Sequence, residues 1–482
     1  MDLAARHQEA LGTLKKFQQD HLLAFWDRLD EAGRNTLLGD IEQIDFALIA
    51  DLIRTHVLSN APVALPRDIR PASILPNKPG DSAQAQQYAD ARRRGEELIR
   101  AGKVACLTVA GGQGTRLGFA GPKGALPISP VRNKPLFQLF AEQIRNAQNL
   151  YGCGLVWLIM TSPTNDGATK AFFESNKFFG LCREQVLFFT QGVMPAIGLD
   201  GKILLESPGR VAVSPDGHGG TLRALHRSGA LDRLQQAGVS VLSYFQVDNP
   251  LIHPVDPLFI GLHAQALSQI SSKAIPKTGP KEKVGNFCVS DNRLRVIEYS
   301  DMPDELASAT DAAGRRLFDA GSIAIHLFDV DFVVKLNQGR FALPFHRAVK
   351  KVAHVDAAGQ PVTPQEPNAV KLETFIFDAL PLADRTLVWA TRRDEEFAPA
   401  KNLAGVDSVE TARAAMVARW GRWLESANVK MPRKADGSAD AVIEVSPLLA
   451  DSAEQLAGSI NPADVRIPPG GQVYLDESIR RS

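Results

Sequence analysis

The sequence predicts an α/β protein with a mostly parallel central sheet flanked by helices, a helical segment before the sheet and a small domain after it. From Lys103 onward, short apolar runs alternate with amphipathic stretches of helical length, the pattern of βαβ crossovers. Before that point apolar residues recur at helical spacing, and near the C-terminus one helix is mixed with short strands and turns. The predicted boundaries of the three parts are 1–102, 103–395 and 396–482.

Helices are predicted throughout the first part, where Leu11, Leu14 and Phe17 begin a series of apolar residues at helical spacing. The proline-rich residues 62–79 cannot form a regular helix and predict an irregular strap. A helix over residues 84–101 then leads into the sheet.

The central part alternates strands with helices. Strands are predicted at residues 104–110, 155–160, 186–189, 239–247 and 322–328. Helices are predicted at residues 136–149, 168–176, 222–237, 369–380 and, in the last part, 409–427. Residues 284–290 and 293–300 flank Asp291 and Asn292, which predict a hairpin turn. In parallel sheets ligands bind beyond the carboxyl ends of the strands, so the site is expected there.

The composition argues against several classes of partner. Lys plus Arg (54) equals Asp plus Glu (54), so no net charge would attract nucleic acid or an anionic membrane. No stretch approaches the roughly 18 apolar residues of a membrane span, and the charged N-terminus does not resemble a signal peptide. The four cysteines are far apart and form no zinc motif. We expect a cytoplasmic protein, monomeric or homo-oligomeric, without nucleic-acid or membrane partners.

A glycine-rich loop follows the first predicted strand of the sheet: residues 110–118 are AGGQGTRLG, and residues 122–124 are PKG. Glycines allow backbone N–H groups to approach an anion closely, and Arg116 and Lys123 can add full positive charge. The loop lacks the GxxxxGK[ST] pattern, and it departs from GxGxxG because Leu117 takes the place of the third glycine. The loop therefore predicts a polyphosphate site of neither of these types.

Asp248 follows the predicted strand 239–247, at the edge of the sheet where the loop also lies. A hard carboxylate oxygen there could hold Mg²⁺ against a phosphate. An aspartate before Pro250 could equally well begin a turn. The residues alone leave both interpretations open.

With these motifs in this order, the sequence resembles the eukaryotic-type UDP-sugar pyrophosphorylase family, and within it the N-acetylhexosamine branch most. The resemblance extends from about residue 107 to residue 449 and so covers most of the chain. Besides the glycine-rich loop, the matching segments are IMTS at 159–162, Gln191, MPA at 194–196, SPDGHGG at 214–220, VDN at 247–249, VIEYS at 296–300, DAG at 319–321, VKLE at 370–373 and FAPAKN at 397–402.

The resemblance implies a Rossmann-like nucleotidyltransferase fold of the GT-A type, with Mg²⁺ as cofactor. It implies that UTP and a hexose or hexosamine 1-phosphate are converted to a UDP-sugar and pyrophosphate. A sugar phosphate oxygen would attack the α-phosphorus of UTP in line, and it needs no general base because it is already an anion. Repulsion between the phosphates is then the obstacle. Arg116 and Lys123 would neutralise charge as pyrophosphate leaves.

The resemblance also assigns roles to individual residues. Arg116, Lys123 and Lys401 would be catalytic, and Asp248 would be the metal ligand. The implied nucleotide-binding residues are Ala110, Gly111, Gly112, Lys123, Gln191, Gly217 and Lys371. The implied sugar-binding residues are His218, Gly285, Glu298, Tyr299, Ser322 and Lys401.

Two positions depart from the pattern of the N-acetylhexosamine branch, which has Asn where this chain has His218 and Ser322. The related glucose 1-phosphate enzymes have His at the first of these positions. N-acetylglucosamine 1-phosphate is therefore the first expectation, and N-acetylgalactosamine, glucose and galactose 1-phosphate stay open. Two other classes of protein are disfavoured: a glycosyltransferase usually needs a DxD motif where this chain has VDN, and a non-catalytic nucleotide-sugar sensor would not need the charged residues that this chain has.

Overall fold

The computed structural model describes residues 2–59, 66, 68–339, 341 and 343–481. These residues form two compact units that each combine segments distant in sequence. The smaller unit comprises the described residues of Met1–Leu65, Gln191–Arg223 and Ala342–Asp378. The larger unit comprises those of Pro66–Thr190, Ala224–Phe341 and Ala379–Ser482.

A sheet with ten strands among the described residues forms the centre of the larger unit. In spatial order its main path consists of Arg70–Pro71, Asn286–Ser290, Ala320–Asp329, Val241–Gln246, Val104–Val109, Val156–Thr161 and Val186–Thr190. The last four of these strands are parallel, and Ala320–Asp329 runs antiparallel to Val241–Gln246. The remaining strands are Ile270–Pro276, Arg293–Ile297 and Thr386–Ala390. The parallel strands hold the glycine-rich loop and Asp248 at their carboxyl ends, as the sequence predicts.

Helices cover the sheet of the larger unit. They span Ser82–Arg100, Leu136–Tyr151, Asp166–Ser175, Ala230–Gln236, Pro257–Gln265, Asp304–Ser308, Val330–Leu336, Arg393–Glu396, Val409–Ser426 and Ala453–Ser459. The helix Gly220–Arg227 has its residues up to Arg223 in the smaller unit and the rest in the larger. Aromatic side chains fill much of the core, and Phe137, Trp157 and Phe173 pack edge to face around its centre. Within the described residues, no helix is both long and apolar enough to cross a membrane.

The C-terminal residues share this core. Strands Ala441–Val445 and Gly471–Leu475 pair in parallel. Ile443 and Leu475 belong to the same buried apolar cluster as Trp157. Residues 396–482 therefore pack into the larger unit, whereas the sequence predicted a separate small domain.

The smaller unit has its own apolar core. Leu14 and Leu37 of the N-terminal helices pack with Ile197, Val370 and Leu372. The helices span Leu3–Lys16, Glu31–Glu42 and Phe46–Leu52. The strands span Val193–Pro195, Ile197–Gly198, Leu205–Ser207, Arg210–Val211, Val213–Pro215, His346–Lys350, His354–Val355, Pro361–Val362 and Ala369–Glu373. The N-terminal helices are as predicted, but their apolar faces are covered by strands from the middle of the chain, so the units differ from the predicted segments 1–102 and 103–395.

The predicted helix over residues 369–380 is wrong. The chain forms a strand, Ala369–Glu373, followed by 3₁₀ turns at Ile376–Leu382. Val370 and Leu372 alternate into the core of the smaller unit, which is the period of a strand. The apolar residues of this short run do not distinguish the period of a helix from that of a strand, so the pairing with His346–Lys350 decided the structure.

Other predicted elements are close to those observed. The predicted helix 222–237 is broken at Gly229, whose φ of 72° ends the first half. The hairpin turn at Asp291 and Asn292 is confirmed, and both residues have the positive φ of a type I′ turn. Of the proline-rich residues 62–79, residues 62–65 and 67 lie outside the described residues.

Candidate functional site

The glycine-rich loop begins where the central strand Val104–Val109 ends, and its own backbone closes it. The N–H of Gly114 donates to the carbonyl of Gly121 at 2.9 Å, and the N–H of Lys123 donates to the carbonyl of Gly112 at 3.1 Å. Gly121 has a φ of 140°, which residues with a side chain rarely adopt. The glycines therefore allow the chain to reverse its direction tightly. This reversal places the side chain of Lys123 next to Gly112.

Asn165 holds this loop against the neighbouring strand end. Its side chain is fully buried and donates to the carbonyls of Ala110 at 2.9 Å and Gly112 at 3.3 Å. Its Oδ1 accepts from the N–H of Ser162 at 2.8 Å. The sequence motifs did not predict a role for Asn165. Its position just after the segment IMTS, at the end of the next parallel strand, is the feature that would have pointed to it.

Lys123 and Asp248 meet at the carboxyl edge of the sheet. The ammonium of Lys123 lies 3.7 Å from a carboxylate oxygen of Asp248, and the two side chains are only 13% and 11% exposed. Asp248 follows the strand Val241–Gln246, which pairs with Val104–Val109. Adjacent parallel strands therefore deliver a cation and a carboxylate to one place. Arg116, on the 3₁₀ turn Thr115–Leu117, is exposed at the surface of the loop.

Asn249 connects the segment that carries Lys401 to the same edge. Its Nδ2 donates to the carbonyl of Glu396 at 2.6 Å, and its Oδ1 accepts from the N–H of Ala398 at 3.1 Å. The N–H of Ala400 donates to the carbonyl of Asp248 at 2.8 Å. The backbone that leads to Lys401 therefore lies beside Asp248, and the role of the Lys401 side chain stays a prediction. The bracing by Asn249 was not predicted.

A buried ionic cluster lies under this segment. The ammonium of Lys273, which is fully buried, contacts Asp256 at 2.7 Å and Glu396 at 2.6 Å. Burial by itself would lower the pKa of Lys273, but the two carboxylates outweigh it and raise the pKa above its usual value. The lysine therefore stays charged and fixes Glu396, whose carbonyl holds Asn249.

Three of the predicted sugar-binding residues lie together in the larger unit. The N–H of Ser322 donates to the carbonyl of Gly285 at 2.8 Å. A Cβ placed on Gly285 would lie 2.5 Å from Val296 and 3.5 Å from a carboxylate oxygen of Glu298. Gly285 is therefore required for close packing against Val296, and this packing places it beside Glu298. Tyr299, the next residue, is 43% exposed.

Gln191 and Gly217 contact each other in the smaller unit. The side-chain amide of Gln191 donates to the carbonyl of Gly217 at 2.9 Å. Gly217 has a φ of 85°, and a Cβ there would lie 2.3 Å from the carbonyl oxygen of Thr374. Because one amide N–H of Gln191 is bonded to the backbone, the orientation of its amide is set before any ligand arrives. Lys371 projects from the strand Ala369–Glu373 on the face opposite the core residues on either side of it.

His218 is held as a neutral imidazole. Its Nδ1 accepts from the N–H of Ile376 at 3.1 Å, and its ring stacks on Phe375. Desolvation, with a smaller effect of His346, lowers the pKa of His218 to about 4. At neutral pH the single ring proton is therefore on Nε2, which is a hydrogen-bond donor.

Asp248 fits the role of a magnesium ligand. Among the described residues, no three His, Cys, Asp or Glu side chains cluster as a complete set of metal ligands. Magnesium is usually bound through one or two carboxylates, with substrate phosphates and water completing the octahedron. A single carboxylate beside the glycine-rich loop is the arrangement expected for such a site.

Residues 65–419 match the protein family described as UTP–glucose-1-phosphate uridylyltransferase. The chain belongs to this family, the UDP-sugar pyrophosphorylases. The family, the fold and the nucleotidyltransferase class that the sequence predicts are thereby confirmed. The roles of individual residues remain predictions.

Relatives within the UDP-sugar pyrophosphorylases are similar over nearly their whole length. The chain is 34% identical to UDP-N-acetylhexosamine pyrophosphorylase-like protein 1 of Homo sapiens, over 99% of this chain and 98% of the relative. It is 34% identical to the UDP-N-acetylglucosamine pyrophosphorylase of Saccharomyces cerevisiae, over 91% and 94%. The structure of the uridine diphosphate N-acetylglucosamine pyrophosphorylase from Trypanosoma brucei in complex with inhibitor is similar with a TM-score of 0.79 and 29% identity, over 94% of each chain.

Proposed function

We propose that this chain joins UTP and N-acetylglucosamine 1-phosphate to form UDP-N-acetylglucosamine and pyrophosphate. The names of its relatives support N-acetylglucosamine 1-phosphate over the other sugar phosphates. A sugar phosphate oxygen attacks the α-phosphorus of UTP in line, and pyrophosphate leaves. We further propose that the protein works in the cytoplasm, as a monomer or homo-oligomer.

The observation that carries the proposal is the meeting of Lys123 and Asp248 at 3.7 Å beside the glycine-rich loop. Two phosphate esters that repel each other must come together, so the site needs positive charge held in place before the reaction. Lys123 supplies it from a largely buried position, where charge acts more strongly than in water. Arg116 is exposed on the loop and would contact the phosphates once they are bound.

Asp248 would hold Mg²⁺, and the bound ion would supply further positive charge beside the phosphates. The Asp248→Ala variant is expected to lose metal-dependent turnover while its circular dichroism and unfolding midpoint stay close to those of the unaltered protein. Turnover is measured over a magnesium titration in both proteins, with the exposed Asp436→Ala variant as control. An unchanged magnesium dependence in Asp248→Ala would remove Asp248 as the ligand.

Gly285, Glu298 and Ser322 would form the sugar site of the larger unit. The Glu298 carboxylate can accept hydrogen bonds from sugar hydroxyls, and Lys401 would contact the sugar phosphate. In the smaller unit, His218 supplies an N–H donor in the position where the N-acetylhexosamine branch has the amide of an asparagine. This donor is compatible with an acetamido oxygen.

A second candidate substrate is glucose 1-phosphate, because His218 and Ser322 replace the asparagines of the N-acetylhexosamine pattern. Both candidates are tested with UTP, Mg²⁺ and the 1-phosphates of N-acetylglucosamine, N-acetylgalactosamine, glucose and galactose, scored by pyrophosphate release. We expect the highest kcat/KM for N-acetylglucosamine 1-phosphate. A higher value for glucose 1-phosphate would replace the first candidate with the second. Binding of UDP-sugars without turnover of any sugar phosphate would instead indicate a sensor.

A further inference from the structure

A buried lysine lies beside the predicted sugar-binding residues and has no part in the roles assigned above. Lys277 follows the strand Ile270–Pro276 and is only 3% exposed. Its ammonium donates to the side-chain oxygen of Asn286 at 3.0 Å and to the carbonyl of Pro280 at 3.2 Å. Both partners are uncharged, and burial lowers the pKa of Lys277 from its usual value. Burying this charge is therefore costly.

Lys277 joins three segments of the larger unit. Its side chain bonds to the segment 280–286, and its backbone N–H donates to the carbonyl of Asp319 at 3.0 Å, just before the strand Ala320–Asp329. Asn286 is paired with Gly321 of that strand. Lys277 thus holds the segment 280–286 and the strand against one another at the point where Gly285 and Ser322 meet.

The orientation of the Asn286 side chain depends on Lys277. Asn286 is fully buried, and its Nδ2 has no hydrogen-bond partner among the described residues. Its Oδ1 is bonded to Lys277. Without that ammonium the whole amide would be buried unpaired, which favours local opening that admits water. Opening there would move the adjacent Gly285, whose carbonyl bonds to the N–H of Ser322.

We propose that Lys277 is a positioning residue for the sugar: it holds Asn286 and the segment 280–286 so that Gly285, Glu298 and Ser322 keep the spacing that a hexose ring requires. The role of Lys277 toward a sugar substrate rests on the proposed function. Its structural part, the fixed contact between Gly285 and Ser322, is independent of that function and can be measured separately.

The kinetic test compares Lys277→Met with the unaltered enzyme. The variant keeps an unbranched apolar side chain as far as Cε and removes the ammonium. We expect KM for N-acetylglucosamine 1-phosphate to rise about tenfold or more, since small displacements of positioning groups are costly, while KM for UTP changes less than about twofold. Lys281→Met is the matched control, because Lys281 lies in the same segment but is 77% exposed, and it should leave both constants unchanged.

Hydrogen exchange supplies a readout that does not require turnover. In Lys277→Met the amide of Ser322 should exchange faster, while that of Ala390, which bonds to Leu75, should not. Faster exchange in a protein that turns over no hexose phosphate would defeat the proposed function, and with it the role toward the sugar, and would leave only the structural part, that Lys277 fixes the contact between Gly285 and Ser322. Unchanged exchange of Ser322, or KM values that rise equally for both substrates, would overturn the inference. If Lys277→Met does not fold, Lys277→Gln, which is one bond too short to keep the contact, is judged by the same criteria.

Discussion

Individual residues at the carboxyl edge of the sheet determine how this molecule can bind a polyphosphate. Lys123 and Asp248 are both largely buried and 3.7 Å apart, so each partly compensates the charge of the other before a ligand is bound. Asn165 and Asn249 fix the backbone on either side of this pair. The geometry is therefore built into the resting structure, and little reorganisation is needed when phosphate charge arrives.

Replacing Lys123 tests the importance of that charge. We expect Lys123→Ala to lower kcat/KM by about 10²–10³, the scale of losing one preorganised charge in a closed site. Pyrophosphate release under saturating magnesium is the measurement, and the exposed Lys434→Ala variant is the control. Near-normal turnover of Lys123→Ala would exclude the lysine from the reaction.

His218 predicts a dependence of stability on pH. Its pKa in the folded protein is about 4, below the ordinary 6.5, so between these values the unfolded chain binds more protons than the folded one. Its contribution to stability is therefore present above about pH 6.5 and is lost as the pH falls toward 4. Urea unfolding midpoints of the unaltered protein and His218→Gln should converge over this range, whereas the exposed His226→Gln control should run parallel to the unaltered protein. A constant difference between the protein and His218→Gln would contradict this.

At the scale of elements, the helices Ser82–Arg100 and Pro257–Gln265 pack with their backbones in contact. A Cβ on Gly261 would lie 1.6 Å from the carbonyl oxygen of Ala91, and one on Gly95 would lie 1.8 Å from that of Pro257. The two glycines therefore set how closely the helices approach. This contact supports the start of the central strand Val104–Val109, which follows the first helix.

The glycine contact predicts a large effect of one methyl group. Gly261→Ala should destabilise the larger unit by about 1–3 kcal/mol, because a tightly packed backbone must shift to admit the side chain. Gly12→Ala is the matched control: it lies in an exposed helical position with open space around it and should be neutral or stabilising by up to about 1 kcal/mol. The two variants are compared by urea unfolding, monitored by circular dichroism. Equal midpoints for the two variants would refute the close approach.

At the scale of the whole molecule, the core of the larger unit is assembled from segments far apart in the sequence. Trp420, Ile443 and Leu475 lie in the same cluster as Phe137 and Trp157. The smaller unit likewise combines N-terminal helices with strands from two later segments. Neither unit corresponds to one continuous stretch of chain.

Truncation tests this assembly. Because the apolar cluster of the larger unit loses Trp420, Ile443 and Leu475 when residues 396–482 are removed, we expect the fragment 1–395 to bind the dye ANS or aggregate. The isolated fragment 396–482 should show no cooperative thermal transition by circular dichroism. The full chain, purified in parallel, is the control. A cooperative transition in the C-terminal fragment would mean that these residues form an independent domain after all.

The chain by itself determined the family, most strands and helices, the glycine-rich loop and the polar residues at the strand ends, because periodicity and motif order are local properties of a sequence. It could not separate strand from helix at residues 369–380, where the run is too short for its period to be read. Only the tertiary structure decided that Lys123 meets Asp248, that Asn165 and Lys277 hold the loops, and which segments share a core. Those contacts depend on the spatial order of the strands. Pairing between distant segments cannot be predicted from the sequence of either segment alone.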